Sequence, residues 1–456
     1  MNYFILLVLT SVSYVLQAQS AKNHYQKGNA LLKEKKYTEA VTSYDAALKL
    51  DSIYVFAYNN KGRALLALDL PKEAKACFDQ VISLTPKDAN AYYYRAQSFG
   101  AMDYFENAIV DYSRAIELNA TYLDAYYNRG ITYQKVDRNK EAVDDFNKVL
   151  ELRELNETSS HQYSDIYTLL GFSKRLLGQL EAAMKDLALA IETNPKDAQA
   201  YYHRGIIKAG TTEIESGLLD LTKAIQLDAE FVNAYYQRGL IYRAQKAYKN
   251  ALKDFTNVIS LKPKANMGYI SRGYTYANMG KPKEAIKDYN QAIALNPKDA
   301  ATFIRKGYAN VALKDYKMAL ESFSTAIDLN TSFKGYAYNN RGNVKRILKD
   351  YKGAMEDVNQ AIQMDSLNAF AFSNRGLIWM DQNDAVAALT DFDRAIELNS
   401  QVAEFYYNRG KFYVDQKIYD KAISDLSKSS ELVPEYKQKE LAKLLKTAKK
   451  AFLSKN

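Results

Sequence analysis

A glycine that returns about every 34 residues is the feature that most restricts what this chain can fold into. The segment from Ala125 to Gly130 reads AYYNRG, and close copies of it precede most of these glycines. A fixed period of this length is typical of proteins built from stacked structural units. The chain of 456 residues therefore predicts one array of similar units rather than several globular domains. The glycines are Gly62, Gly130, Gly171, Gly205, Gly239, Gly273, Gly307, Gly342, Gly376 and Gly410.

The same pattern of small and large residues surrounds each glycine. Ala74 stands twelve residues after Gly62 and Phe78 sixteen residues after it, and other repeats have similar residue types at these offsets. Apolar residues at i, i+3, i+4 and i+7 on both sides predict two amphipathic helices per repeat. The small residues let the two backbones approach, and the aromatic residue fills the space beside them. Proline near the repeat end, as at Pro86 and Pro297, stops the second helix.

This order of aromatic, glycine, alanine, aromatic, alanine and proline residues resembles the tetratricopeptide repeat. The resemblance covers Ala21 to about Tyr436 as twelve copies. It implies an all-α fold, an α-solenoid of antiparallel helix pairs that stack into a right-handed superhelix. It also implies a concave groove, lined by the first helix of each pair, that holds a peptide or protein segment.

Departures from the period divide the chain into segments. Gly130 and Gly171 are 41 residues apart, and the surplus lies in the stretch LNETSSHQY. We therefore expect repeats one to four in 21–156, an insertion in 157–163 and repeats five to twelve in 164–436. Residues 437–456 are rich in lysine and have apolar residues at helical spacing, which predicts a basic helix that caps the last repeat.

Repeat six differs from the others in its second helix. Gly217 stands where most repeats have alanine, and the run Gly210-Thr211-Thr212 precedes it. Glycine inside a helix costs about 1 kcal/mol relative to alanine. The sequence therefore predicts a soft point in this repeat.

The first 18 residues predict export of the chain. They form an apolar, uncharged run that ends at Ala18, a small residue suited to signal-peptide cleavage before Gln19. A membrane anchor is the alternative, although the run is shorter than the roughly 20 residues of a membrane span. We expect a periplasmic or secreted, bacterial protein without a transmembrane span after cleavage. Cys77 is the single cysteine, so no disulfide can form within the chain.

Arginine precedes the repeat glycine or alanine in eight repeats, and each of these arginines has aspartate sixteen residues later. Three of the four repeats without this arginine also lack the aspartate, and Leu170 with Asp186 is the exception. This covariation predicts an Arg–Asp bridge between the two helices of one repeat. The alternative is that the arginines face the groove and bind an anion. The pairs are Arg95–Asp111, Arg129–Asp145, Arg204–Asp220, Arg238–Asp254, Arg272–Asp288, Arg341–Asp357, Arg375–Asp391 and Arg409–Asp425.

Two rows of residues are the candidates for peptide or protein binding. One is an asparagine just before the arginine, which can donate to and accept from a peptide amide. This row is similar to the asparagine ladder of the O-linked N-acetylglucosamine transferase repeats. The other is a tyrosine stripe, which offers rigid contact area for recognition, or else packs between repeats. The asparagines are Asn60, Asn128, Asn340, Asn374 and Asn408, and the stripe includes Tyr93, Tyr127, Tyr202, Tyr236 and Tyr407.

The sequence favours a non-enzymatic scaffold that binds a protein or peptide partner in its groove. His24, His161 and His203 are scattered, and the sequence contains no phosphate-binding loop, metal-ligand cluster or nucleophile elbow. We therefore expect no catalytic residues, no metal and no cofactor, and we do not expect nucleic acid as a partner. The alternative is an architectural envelope protein that acts by self-association or by its basic C-terminal helix on an anionic surface. The identity of the partner and the oligomeric state stay open.

Overall fold

The structure, a computed structural model, describes residues 2–155, 165–329, 331–433 and 438–454. The side chains of 2–16, 154–155 and 438 lie outside this description. Within these ranges all regular secondary structure is α-helical, so the predicted all-α class is confirmed. The chain divides into unit 1, Met1–Ala229, and unit 2, Glu230–Asn456.

In the part of the chain that the structure describes, each unit is a succession of six helix pairs, one pair for each predicted repeat, and in unit 2 one further helix follows the last pair. Unit 1 contains α1 (Asn2–Lys33), α2 (Tyr37–Leu50), α3 (Val55–Ala67), α4 (Pro71–Leu84), α5 (Ala89–Ala101), α6 (Phe105–Leu118), α7 (Leu123–Lys135), α8 (Asn139–Leu155), α9 (Ile166–Leu176), α10 (Leu180–Thr193), α11 (Ala198–Ala209) and α12 (Ile214–Leu227). Unit 2 contains α13 (Val232–Ala244), α14 (Tyr248–Leu261), α15 (Asn266–Asn278), α16 (Pro282–Leu295), α17 (Ala300–Ala312), α18 (Tyr316–Asp328), α19 (Lys334–Ile347), α20 (Tyr351–Met364), α21 (Ala369–Asp381), α22 (Ala385–Leu398), α23 (Ala403–Asp415), α24 (Tyr419–Leu432) and α25 (Gln438–Leu453).

A left-handed residue in the turn joins the two helices of a repeat. In repeat two, Asp69 has φ 59°. Its N–H donates to the Leu66 carbonyl at 3.0 Å, and the Leu70 N–H donates to the Leu65 carbonyl at 2.9 Å. These bonds satisfy the last carbonyls of α3, as in the Schellman motif. The corresponding residues with positive φ are Lys35, Asp103, Asp137, Gly178, Lys246, Gly280, Lys314, Lys349, Asn383 and Lys417.

The repeat glycine and the aromatic sixteen residues later form the core between the two helices. A Cβ on Gly62 would lie 2.5 Å from the Phe78 ring, so the ring occupies the space that a side chain would need. Phe78 and Ala74 are fully buried. The predicted packing of the aromatic ring beside the small residues is therefore confirmed in this repeat.

Gly217 has a packing role that helix propensity does not reveal. A Cβ at this position would lie 2.6 Å from the Ala209 backbone nitrogen and 2.7 Å from the Gly205 carbonyl oxygen. The backbones of α11 and α12 therefore approach more closely than an alanine would allow. The turn also differs, because Thr212, the counterpart of Asp69, does not have positive φ.

The predicted insertion, 157–163, lies outside the described residues. The helices that flank it share one core, in which Phe146 of α8 packs with Ile166 and Leu170 of α9. Repeats four and five therefore pack on each other as other neighbouring repeats do.

The two ends of the chain are helical. α1 continues from the apolar N-terminal run into repeat one, whose first buried side chain is Ala21. No helix in the described ranges is both long enough and apolar enough for a membrane span. At the other end, α25 covers the last repeat, since Leu441 packs with Tyr407 and Leu426, and Ala448 is fully buried.

Candidate functional site

The eight arginines of the predicted Arg–Asp pairs, here called the motif arginines, all bind the aspartate of their own repeat in the same geometry. In repeat four, Arg129 Nε donates to Asp145 Oδ2 at 2.8 Å and Arg129 Nη2 donates to Asp145 Oδ1 at 2.7 Å. Asp145 is 5% exposed and the side chain of Arg129 16%, so the pair is largely withdrawn from water. In repeat three, hydrogen bonds to Asp111 raise the pKa of Arg95 above its ordinary value. The same two-bond geometry recurs in Arg204–Asp220, Arg238–Asp254, Arg272–Asp288, Arg341–Asp357, Arg375–Asp391 and Arg409–Asp425.

The remaining donor of many of these arginines reaches the preceding repeat. Arg129 Nη1 donates to Ser113 Oγ of α6 at 2.8 Å, and Arg409 Nη1 donates to Asp393 Oδ1 of α22 at 2.6 Å. One guanidinium therefore connects the two helices of its own repeat to the second helix of the repeat before it. The other acceptors of this kind are Asp79, Thr256, Ser324 and Asn359.

The predicted asparagine row forms hydrogen bonds within the protein. Asn60 Nδ2 donates to the Tyr25 hydroxyl at 3.2 Å, and Asn128 Nδ2 donates to the Tyr93 hydroxyl at 3.1 Å. The acceptor stands 35 residues earlier in each case. The same spacing joins Asn374 to Asn339 at 2.8 Å and Asn408 to Ser373 at 3.1 Å. Four of the five asparagines thus donate to the tyrosine position of the preceding repeat, while Asn340 donates to a carbonyl of its own helix.

Three of the predicted binding residues are buried. Tyr93 is 7% exposed, Tyr407 8% and Asn408 4%. The Tyr93 ring packs against Tyr94, Tyr112 and Tyr122, while Tyr407 packs beneath α25. A partner cannot reach these side chains without moving the helices that cover them. These three side chains therefore do not belong to an accessible contact surface.

The other predicted stripe residues have different surroundings. The Tyr127 hydroxyl donates to the Asp165 carboxylate at 2.8 Å. Tyr202 lies beside His203, with ring centroids 4.9 Å apart. Tyr236 accepts from the Ser271 hydroxyl at 3.4 Å and lines an open pocket. Only Tyr236 among the predicted tyrosines belongs to that pocket.

That pocket, of about 590 Å³, lies along the first helices of repeats seven to ten, α13, α15, α17 and α19. We call it the aromatic groove. Leu240, Ile270 and Ile304 form much of its apolar lining. A volume of this size is in the range of ligand-binding pockets. Its aromatic and basic side chains include Tyr236, Arg243, Tyr274, Arg305, Tyr308 and Tyr336.

The rings of the aromatic groove are open to a partner. Tyr274 is 42% exposed, Tyr308 50% and Tyr336 57%. Asn340, from the predicted asparagine row, adjoins the groove, because its Nδ2 donates to the Tyr336 carbonyl oxygen at 2.7 Å. Its hydrogen bond to Tyr308 opposes the rise that burial causes in the pKa of Tyr308. Exposed, partly packed tyrosines supply a rigid surface that loses little conformational entropy on binding.

The aromatic groove carries positive charge. The Arg243 guanidinium lies 4.8 Å from the centre of the Tyr274 ring, within the range of a cation–π contact. Arg305 lines both the aromatic groove and an adjoining pocket of about 470 Å³, together with Tyr274 and Tyr308. None of the lining residues of either pocket is acidic.

A different environment surrounds His203, which stands in the asparagine row of repeat six. The side chain is 8% exposed, and Nδ1 has no hydrogen-bond partner among the described residues. Burial, helped by the charge of Arg175, lowers the pKa of His203 to about 3. The imidazole is therefore neutral at physiological pH and packs against Phe172 and Tyr202.

Sequence reasoning missed most of the aromatic groove. Tyr274 and Tyr308 each directly follow a repeat glycine, a position that holds no other tyrosine, and this coincidence in two successive repeats was the available signal. Tyr336 lies at the start of α19, outside the repeated motif. Among the described residues, no group of three His, Cys, Asp or Glu side chains could hold a metal ion.

Comparisons with known proteins match this architecture to one family. Models described as tetratricopeptide repeat match residues 123–154, 232–265 and 267–299, residues 57–88, 164–197, 300–333 and 335–366, and residues 373–434. A model described as TPR repeat matches residues 28–69 and 104–137. No curated protein sequence matches the chain.

Solved structures with a similar fold include a tetratricopeptide repeat protein from Parabacteroides merdae. It is 18% identical, has a TM-score of 0.50, and the match covers 55% of this chain and 98% of that one. The Cut9 complex with Hcn1 gives 15% identity, a TM-score of 0.47, and coverage of 94% and 96%. Yeast Tom70 gives 18% identity, a TM-score of 0.37, and coverage of 83% and 92%. At 18% identity, the likeness to the Parabacteroides merdae protein shows the fold alone.

Proposed function

The chain belongs to the tetratricopeptide repeat family, and we propose that it is a non-enzymatic scaffold that binds an extended segment of a partner protein in the aromatic groove. The observation that carries this proposal is the set of exposed rings at Tyr274, Tyr308 and Tyr336, which face one pocket. Large side chains of this kind dominate the binding energy of protein interfaces.

The contrast with the rest of the motif supports this location. The asparagine row is engaged with the preceding repeat, and Tyr93 and Tyr407 are buried. The aromatic groove instead combines half-exposed tyrosines with an apolar lining at Leu240 and Ile270. A segment that packs on the exposed rings of Tyr274, Tyr308 and Tyr336 gains apolar contact area.

Selection of peptides from a random twelve-residue display library on the full chain tests the proposal. The selected peptides are then titrated against the chain that carries both Tyr274→Ala and Tyr308→Ala. Truncation of a central interface tyrosine costs about 2 kcal/mol or more, so we expect affinity to fall at least about thirtyfold.

Val386→Ala is the matched control, because Val386 is an exposed apolar residue, 80% accessible, outside the groove. We expect this variant to bind like the unchanged protein. Equal binding to the double tyrosine variant, or failure to select any peptide, contradicts the proposal. Circular dichroism checks that each variant keeps its helical content.

A second candidate function involves the C-terminal helix. Its lysines at Lys439, Lys443, Lys446, Lys449 and Lys450 are all exposed, and none forms an ion pair with a described residue. This favours an architectural role on an anionic surface. Replacement of all five by glutamine should then abolish binding to vesicles that contain phosphatidylserine; unchanged vesicle binding contradicts this role.

We also propose that the chain is exported and loses residues 1–18. The first buried side chain after the predicted cleavage site is Ala21, so repeat one keeps its packing after cleavage. Sequencing of the mature amino terminus tests this, and a mature chain that still begins at Met1 contradicts it.

A further inference from the structure

Two arginines of the aromatic groove differ from the motif arginines of the chain. Each of the eight motif arginines binds an aspartate of its own repeat through two hydrogen bonds. Arg243 and Arg305, in contrast, form no hydrogen bond and no ion pair with any described residue. Both residues stand outside the repeated Arg–Asp motif, so one groove contains two guanidiniums that can bind a partner.

Both guanidiniums lie close to the same part of the groove. Arg305 lines the aromatic groove and the adjoining pocket, and Tyr289 lines that pocket too. Burial raises the pKa of Tyr289, and the charges of both Arg305 and Arg243 oppose this rise. Two described carboxylates raise the pKa of these tyrosines, Glu404 that of Tyr308 and Asp288 that of Tyr289. Neither lines a pocket, and Asp288 is bound by Arg272. The groove is therefore apolar in its lining and positive where the two pockets adjoin.

The cation–π contact of Arg243 leaves its N–H donors available. A guanidinium has five N–H donors in a rigid plane, and it binds a carboxylate through two of them. An unpaired guanidinium in a partly desolvated groove gains more from an incoming carboxylate than an exposed one does, because the surrounding dielectric is lower. An apolar residue beside that carboxylate can pack on Tyr274 or Tyr308.

We propose that the aromatic groove selects an extended acidic segment of a partner protein, in which an aspartate or glutamate stands within a few residues of an aromatic or aliphatic residue. This inference rests on the proposed function and names the partner's chemistry. The carboxylate binds Arg243 and Arg305, and the apolar side chain packs on the groove tyrosines. The chain's own C-terminal helix does not fit this description, because its surplus of lysine would be repelled by the two arginines.

The test uses the same random peptide library, selected separately on the full chain and on a chain with both Arg243→Gln and Arg305→Gln. We expect the full chain to enrich Asp or Glu next to aromatic or aliphatic residues. A selected peptide should lose affinity about tenfold or more for each guanidinium removed, as expected for a charge-assisted hydrogen bond. Its copy with Gln or Asn in place of the acidic residues should bind weakly to the full chain and about equally to both proteins.

The matched control carries Lys262→Gln and Lys264→Gln, which removes the same charge from exposed residues outside the groove. We expect it to bind the acidic peptides within about threefold of the unchanged chain, since exposed charges contribute little. Two results overturn the inference: selected peptides without acidic enrichment, or an equal loss of affinity in the lysine control and the arginine variant. If such peptides still lose affinity with Tyr274→Ala and Tyr308→Ala, the proposed groove survives and only its acidic preference fails.

Discussion

Replacement of Gly217 by alanine should destabilise repeat six, although helix propensity predicts the opposite. Gly217 lies inside α12, where alanine is favoured over glycine by about 1 kcal/mol. A Cβ at this position, however, would lie 2.6 Å from the Ala209 nitrogen and 2.7 Å from the Gly205 oxygen. Both atoms belong to the α11 backbone, so no flexible side chain can move aside.

The size of the effect follows from these two opposing contributions. To relieve the overlap, α12 must move away from α11 by several tenths of an ångström. Overpacking of this kind costs about 1–3 kcal/mol, and the shift also loosens Leu221, which is fully buried between the helices. With the propensity gain of about 1 kcal/mol subtracted, we expect a net destabilisation of up to about 2 kcal/mol.

Hydrogen exchange is the suitable assay, because a repeat array need not unfold in one step. The free energy of opening is measured for the amides of α11 and α12 in the unchanged chain and in the variant. Gly100→Ala is the control. Gly100 also lies in a helix, but a Cβ added there would meet no heavy atom within 4 Å, so alanine should stabilise α5 by up to about 1 kcal/mol.

The reasoning is refuted if Gly217→Ala slows exchange in α11 and α12 as Gly100→Ala does in α5. That result would mean that the two helices separate at no cost. Repeat six would then be the soft point that its composition alone predicts.

Two further predictions concern buried polar groups. The stability of the unchanged chain should fall as the pH drops from about 6.5 towards 3, because histidine in the unfolded chain (pKa about 6.5) takes up a proton that folded His203, with pKa about 3, does not. His203→Gln should remove a contribution of about 1.4 kcal/mol per pH unit in this window, measured as the difference in urea unfolding between the two proteins. Arg129→Met and Asp145→Asn should each cost about 3 kcal/mol, and the double variant less than the sum, because a single substitution leaves one buried group without its partner.

Each of these predictions has a clear contrary outcome. A difference between the unchanged chain and His203→Gln that does not vary with pH would show that the histidine is protonated in the folded state. If the losses in the free energy of unfolding are additive in the double-mutant cycle of Arg129→Met and Asp145→Asn, the two side chains do not interact energetically.

The pairing of arginine with aspartate was predictable because both partners change together along the chain. Three of the four repeats that lack the arginine, such as those with Lys61 and Lys306, also lack the aspartate. Contacts within one repeat have a constant sequence separation, so a periodic sequence reveals them. The further bond that many of these arginines donate to the preceding repeat, such as Arg129 to Ser113, was not predicted, because its acceptor changes from repeat to repeat.

The asparagine row shows why the candidate site was harder to predict. Asn128 has the donors and acceptors that a peptide would use, but its amide is directed to Tyr93 of the preceding repeat. Whether a polar side chain faces a partner or its neighbour depends on how one repeat packs on the next. The residue type alone does not specify that packing.

The 34-residue period determined the helix pairs by itself, because glycine, alanine and aromatic residues at set offsets permit only one close packing of two helices. It also determined the register of the Arg–Asp pairs. Only the tertiary structure decided which tyrosines are exposed and which arginines are unpaired. Tyr93 and Tyr274 are the same residue type on first helices, yet one is 7% and the other 42% exposed. Tyr93 stands three residues before Ala96 and Tyr274 one residue after Gly273, so they occupy different positions of the repeat. The side chains that pack at each position set the exposure of the ring, as Tyr112 and Tyr122 do for Tyr93.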